Sequence, residues 1–247
     1  MRQWAVAAAA VLTACTSLSS AAQAQKQGGI LKVWHRDSPG NMSILEEGTI
    51  SIVAPIMGVF NNLVVFDPNV KQNSLKSIVP DLAESWSWSE DGTELTFKLR
   101  DGVKWHDGKP FTAADVKCTF DLVQGKSKEK LRVNAREAWW INLKEVTSEG
   151  DRQATFHLKR PQPAFIELLA AGFTPIYPCH VSPAQMRAHP IGTGPFKLSS
   201  SNPTNLLKSP ATRIIGNPAD PILTGSSGRS SLTAPPRCSL SWPGSLI

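Results

Sequence analysis

From Gly29 onward the apolar positions change period several times, and each change marks a different element. Glu94 to Arg100 alternates strictly, which predicts a strand with Leu95, Phe97 and Leu99 on one buried face. Asp91-Gly92 and Asp101-Gly102 bracket it as turn dipeptides, and Asp107-Gly108 follows Val103-Lys104-Trp105 in the same way. Thr112-Ala113-Ala114-Asp115 has capping-box form, and Val116, Phe120 and Val123 behind it lie at helical spacing, ending at Gly125. Ala154, Phe156 and Leu158 predict a second alternating strand; Pro161 and Pro163 break it, and Ala164 to Ala171 reads as a helix. Earlier, Ile30 to Trp34 reads as a strand, and Ile52 to Val65 carries apolar residues at helical spacing up to the turn-like Asp67-Pro68. Irregular interleaving of strands and helices, without a fixed repeat, predicts a mixed α/β fold.

The pattern fails near Leu198. Among residues 199–247 the 11 serines, 7 prolines and 4 glycines dominate, and neither period persists. The whole chain has 247 residues and a formal charge of +6. Charge is unevenly spread, however. Arg2 alone charges residues 1–24, and Lys208, Arg213, Arg229 and Arg237 against Asp220 give the last stretch +3, so residues 25–198 hold only +2 of the +6. A near-neutral body gives no ground for a nucleic-acid partner or an anionic membrane surface.

Residues 1–24 read as an export signal: Arg2, an apolar run from Trp4 to Leu12, and small residues ending in Ala22-Gln23-Ala24. Leu12-Thr13-Ala14-Cys15 also fits a lipobox, so two readings stand, cleavage after Ala24 or a lipid anchor on Cys15. Both place the mature chain outside the cytoplasm, in the periplasm. There a disulfide between Cys118 and Cys179 is permitted, and two separate buried thiols are the alternative. The cysteines lack C-x-x-C spacing, and the five histidines lack H-x-x-x-H spacing, so no metal site is expected. No G-x-S-x-G elbow or other nucleophile motif is present, so no catalytic residue and no cofactor is expected. His106 and Asp107, beside glycine and proline, are expected to be solvated turn residues. Trp139 and Trp140 are candidates for stacking on a ligand, or for a pair lying half in the core and half at the surface.

Several blocks resemble the family-5 extracellular solute-binding proteins, which serve oligopeptide, dipeptide, nickel and related ABC importers. They are Leu63-Val64-Val65-Phe66-Asp67, Val79-Pro80-Asp81-Leu82-Ala83-Glu84-Ser85-Trp86, the run Leu99 to Val116 containing Trp105-His106-Asp107-Gly108-Lys109-Pro110, and Ile191-Gly192-Thr193-Gly194-Pro195-Phe196. The similarity covers residues 28–198. It implies a periplasmic-binding-protein-like (type II) fold in which residues 25–198 form only part of lobe I. It also implies a peptide or similar small solute as ligand and an ABC-transporter membrane permease as partner. The loop after the first strand, with His35, Arg36, Asp37 and Ser38, faces the cleft in similar proteins, where Arg36 can pair with a ligand carboxylate. The same residues also read as a solvated polar loop. A secreted α/β enzyme is the alternative function, and it requires a nucleophile–base pair that the sequence does not reveal.

The resemblance sharpens the reading of residues 199–247, which are otherwise a low-complexity linker. The first two bases of each codon are largely fixed by the residue, so a frame displaced by one base can be bounded. Residues 211–226 then re-read as RNPDYWKPGRPYLDGI, similar to the N-P-x-Y-W and P-Y-L-D segments that follow the G-T-G-P-F turn in that family. A frame change near Leu198 is therefore expected, with the second lobe encoded beyond it and the product as read inactive.

Overall fold

The computed structural model describes residues 40–198 together with 207–208. The proposed leader, Cys15, the strand at residues 30–34, the loop carrying His35 to Ser38, and nearly all of the serine- and proline-rich stretch lie outside these residues.

The alternating segments become the central strands of one antiparallel sheet. Strands β3 (Ala83–Trp88), β4 (Glu94–Leu99), β5 (Leu143–Glu149) and β6 (Gln153–Leu158) are ordered β3-β4-β6-β5. Leu95 sits opposite Phe156, Phe97 opposite Ala154, and Val146 opposite Phe156, so one face of the sheet is apolar throughout. Helix α2 (Ala113–Val123) covers that face with Val116, Phe120 and Val123. Phe120 meets Phe156 edge-on with centroids 4.7 Å apart, and Phe97 meets Phe156 at 5.5 Å. The opposite face carries Thr96 and Thr155, whose hydroxyls lie 3.0 Å apart, and the pair Glu94 and His157.

The capping box predicted for α2 is present: the Thr112 N–H donates to the Asp115 carboxylate at 3.0 Å, and the Thr112 side chain accepts from the third residue of the helix. Asp115 does more than cap. It also accepts from the Trp105 indole at 3.3 Å and from the Cys179 N–H at 2.9 Å, so a single buried carboxylate ties a hairpin, a helix start and a later loop together. Cys118 on α2 and Cys179 stand with Cα atoms 5.7 Å apart, within the span of a disulfide, and their sulfurs meet.

Helical spacing over residues 52–65 is only partly realised. Helix α1 (Ile50–Ile56) gives way to a 3₁₀ turn at Met57–Val59, and Val64–Phe66 is strand β1, paired with β2 (Ile78–Pro80). The reason is tertiary. The carbonyls of Gly58 and Val59 accept from the N–H groups of Phe196 and Gly194 at 3.0 and 2.9 Å, which a continuing helix would occupy internally. The remaining elements are α3 (Phe165–Ala170), α4 (Pro183–Ala188) and the short pair β7 (Lys197–Leu198) and β8 (Leu207–Lys208). Asn62 supplies what α3 lacks at its end: its buried amide donates to the carbonyls of Leu169 and Ala171 at 3.2 and 2.6 Å.

Two consequences are measurable. Phe156 contacts Phe97, Phe120 and Phe165, so Phe156→Ala should cost about 3–5 kcal/mol, read as a lower urea midpoint with unchanged slope. Asp81, beside β2, is pushed up to about 6 by burial, against hydrogen bonds from Asn62 and Asn61 and the nearby Arg100. The native state therefore holds this proton more tightly than the unfolded chain, and the contribution of Asp81 to stability grows as pH falls from about 6 toward 3.8. A carbon-13 titration of the Asp81 carboxyl should show that midpoint; an ordinary carboxylate value would refute it.

Candidate functional site

Residues 41–47 leave the proposed ligand loop and are held in place by groups from three later parts of the chain. Tyr177, whose ring is buried and stacked at 5.3 Å on Phe60, points its hydroxyl at this segment. That hydroxyl lies 3.3 Å from Ser43 Oγ and accepts from the Leu45 N–H at 3.4 Å, and burial pushes the phenol up to about 12. The Glu46 carboxylate is fully buried and receives Arg187 from α4 at 2.8 and 3.1 Å, together with the Arg132 N–H at 2.6 Å. The Arg136 guanidinium donates to the carbonyls of Ile44 and Glu47. Its flat face lies 4.3 Å from the Phe173 ring centroid and 5.8 Å from that of Trp139, and burial lowers its pKa. Among the described residues no carboxylate pairs with Arg136. Its neighbours are carbonyl oxygens and aromatic faces.

The two tryptophans separate. Trp140 is buried against Phe120 at 5.0 Å and Phe165 at 6.0 Å, which makes it a core residue with no face left for a ligand. Trp139 remains half-buried and borders an open hollow of about 530 Å³, with Ile141, Asn142, Pro161, Gln162 and Pro163 on its other sides. Ile141 is 72% exposed there, the largest exposure of any bulky apolar residue among the described ones. Arg36, Asp37 and Ser38 lie outside the described residues, so no distance relates them to Trp139.

The expectation for His106 is corrected. Its ring is packed between the hairpin and the turn at residues 192–195, with Nε2 2.8 Å from the Gly194 carbonyl and Nδ1 3.3 Å from the Gly192 nitrogen. Asp107 is also engaged, 2.7 Å from His180 Nε2. Glycine at 108 allowed either outcome; a partner 86 residues away decided it, and no local signal carries that information.

The sequence also missed a hydroxyl–imidazole–carboxylate line across the polar face of the sheet. Thr147 Oγ1 lies 2.9 Å from His157 Nε2, and His157 Nδ1 lies 3.1 Å from Glu94. Each member sits on a different strand, so only the register brings them together. The line lies on the polar face of the sheet, with Glu94 exposed. Acyl transfer needs oriented donors for the developing oxyanion as well as a nucleophile and base. A cross-strand polar ladder is the simpler account. Among the described residues no cluster of three or more histidine, cysteine or carboxylate groups can hold a metal.

Comparison with known proteins gives these surfaces a context. The dipeptide-binding protein of Escherichia coli strain K12 is 32% identical over 179 residues, which is 64% of this chain and 32% of that protein. A glutathione-binding protein from Escherichia coli O157:H7 is 34% identical over 145 residues, covering 56% of this chain and 26% of the relative. The chain thus spans about a third or less of the length of the curated relatives it matches. Among solved structures, the oligopeptide-binding protein AppA of Bacillus subtilis, in complex with a nonapeptide, superimposes with a TM-score of 0.60 at 30% identity, over 70% of this chain and 34% of that one. The fold is accordingly a type II periplasmic-binding-protein fold, represented by a fragment. The model described as bacterial extracellular solute-binding proteins, family 5 Middle, matches residues 77–210, which include the Trp105 hairpin, α2 and the glycine-rich crossing, and the chain belongs to that family.

Proposed function

We propose that this chain is the N-terminal portion of the solute-binding component of an ABC importer for peptides or similar small solutes. The observation that carries the reading is the family match over residues 77–210, whose relatives include dipeptide- and glutathione-binding proteins. In this reading residues 25–198 supply part of lobe I, and Arg36, Asp37 and Ser38 meet the ligand, Arg36 as a carboxylate partner. The clamp of Tyr177, Glu46–Arg187 and Arg136 on residues 41–47 fixes the exit of that loop. Trp139 offers an aromatic surface to the ligand. Export to the periplasm precedes these events, through cleavage after Ala24 or lipidation of Cys15. The enzyme alternative gains only the Thr147–His157–Glu94 line, on the polar face of the sheet.

Cys118 and Cys179 form a disulfide in this proposal. It closes a loop of 61 residues, for which the chain-entropy model gives about 4 kcal/mol. A non-reduced digest should contain the linked peptides, and reduction should lower Tm by several degrees. Alkylation of Cys118 and Cys179 in the native, non-reduced protein would refute it.

The family match reaches residue 210, and the re-read string begins at residue 211. We infer a frame change near Leu198 and assign residues 199–247 to the wrong frame. Sequencing the DNA past this point should reveal an open displaced frame encoding family-type sequence; immediate stop codons would sink the idea. Calorimetry of the 247-residue chain against a mixed peptide library should give no binding heat, whereas the frame-corrected protein should bind. A cleft ligand is held from two lobes that close around it. Equal affinities for the two proteins would overturn this account.

A further inference from the structure

We propose that His106 is an acid-sensitive latch that fastens the Trp105–Pro110 hairpin to the Gly192–Phe196 crossing and lets go when its imidazole takes up a second proton.

The hydrogen bonds define one protonation state. The Gly194 carbonyl has no proton to give, so His106 Nε2 must carry the hydrogen that joins them at 2.8 Å. The Gly192 N–H has no lone pair to give, so His106 Nδ1 must be bare to accept it at 3.3 Å. Only the neutral Nε2–H tautomer satisfies both. A proton on Nδ1 would turn an acceptor into a donor facing a donor. The backbone beside the ring adds a third tie, from the His106 N–H to the Gly192 carbonyl at 2.9 Å.

What the latch holds is a tight crossing. A Cβ on Gly194 would lie 2.5 Å from the Gly58 carbonyl oxygen, and one on Gly192 would lie 1.9 Å from that of Val59. At the glycines themselves the contact is made by backbone hydrogen bonds and His106, with the Phe196 ring over Gly58 and Thr193 bonded to Asn61 at 3.1 Å beside them. Loss of the ring's acceptor therefore acts directly on the place where the chain passes from α4 to β7.

The charges around the ring can be enumerated by element. Lys197 on β7 donates to the His106 carbonyl at 2.8 Å and disfavours an imidazolium; Asp107 on the hairpin favours one. Asp107 is itself shared with His180, at 2.7 Å, and with Lys109. The segment Gly58 to Asn61 contributes no ionisable group, although Asn61 links Thr193 to Asp81. Burial is the largest influence and lowers the imidazole below its ordinary 6.5. The open or unfolded chain thus takes the proton first as pH falls. The latch contributes fully above about 6.5 and loses strength below that, the opposite sense to Asp81.

Nitrogen-15 NMR of the histidine rings in the whole chain provides the test. At pH 7.5 the expected spectrum is the Nε2–H tautomer for His106, with a titration midpoint below 6.5 that also moves the Gly192 and Gly194 amides. Amide-exchange protection at Gly194 and Phe196 should fall about tenfold per pH unit between 6.5 and that midpoint. His106→Gln should abolish this dependence, while His180→Gln should keep it. The wild-type titration stands even if a variant fails to fold. An Nδ1–H tautomer, a midpoint at or above 6.5, or protection that does not change with pH would each overturn the proposal.

Discussion

The Asp115 carboxylate is the point on which the described structure depends. Three N–H groups converge on it, from Trp105, Thr112 and Cys179, which belong to a hairpin, a helix start and a later loop. A buried carboxylate is costly unless its lone pairs are used, and here three donors use them. The same contacts that offset its burial start α2 in the correct direction and bring Cys118 opposite Cys179. They also set the Trp105 hairpin so that His106 reaches the glycine-rich crossing. Removing this one acceptor would leave the buried Trp105 indole and two part-buried backbone N–H groups without this partner, in three different segments.

Legibility of the fold from sequence followed the range of the interactions. Strand β4, the Thr112–Asp115 cap, the stripe on α2 and strand β6 were readable because one or two turns of chain contain the whole signal. Strand β3 was missed although Trp86 and Trp88 alternate with serines; both tryptophans are only half-buried, and pairing with β4 holds the strand. The helix extrapolated across residues 57–63 failed because Gly58 and Val59 are needed as acceptors by residues far along the chain. The site was less legible still. Trp139 and Trp140 are neighbours in sequence, yet a 3₁₀ turn sends one to the core and leaves the other at the surface. Nothing in the composition around Tyr177, Glu46 or Arg136 announces that they meet.

The family blocks acquire physical meaning from these contacts. The Trp105–Pro110 run and the Gly192–Phe196 run, separated by more than eighty residues, touch through His106. The Val79–Trp86 block contains Asp81, which receives the Asn62 N–H at the start of β1. Similarity at these places therefore reports a scaffold. Relatives named for dipeptide, glutathione and oligopeptide binding share this family.

Among the described residues the sheet ends at β3 and β5, and both are irregular. Each shows a register shift, between Ala83 and Ser85 on one side and between Leu143 and Glu145 on the other. Glu84 on β3 is tied to Lys98 and Arg152, while β5 exposes Lys144, Glu145 and Glu149 along its length. A flat, apolar margin would be a template for strands from neighbouring molecules; a kinked and charged one is a poor template. The kinks at Ala83 and Leu143 thus serve twice, seating two core residues and making each described edge a poor partner for a strand of a neighbouring molecule.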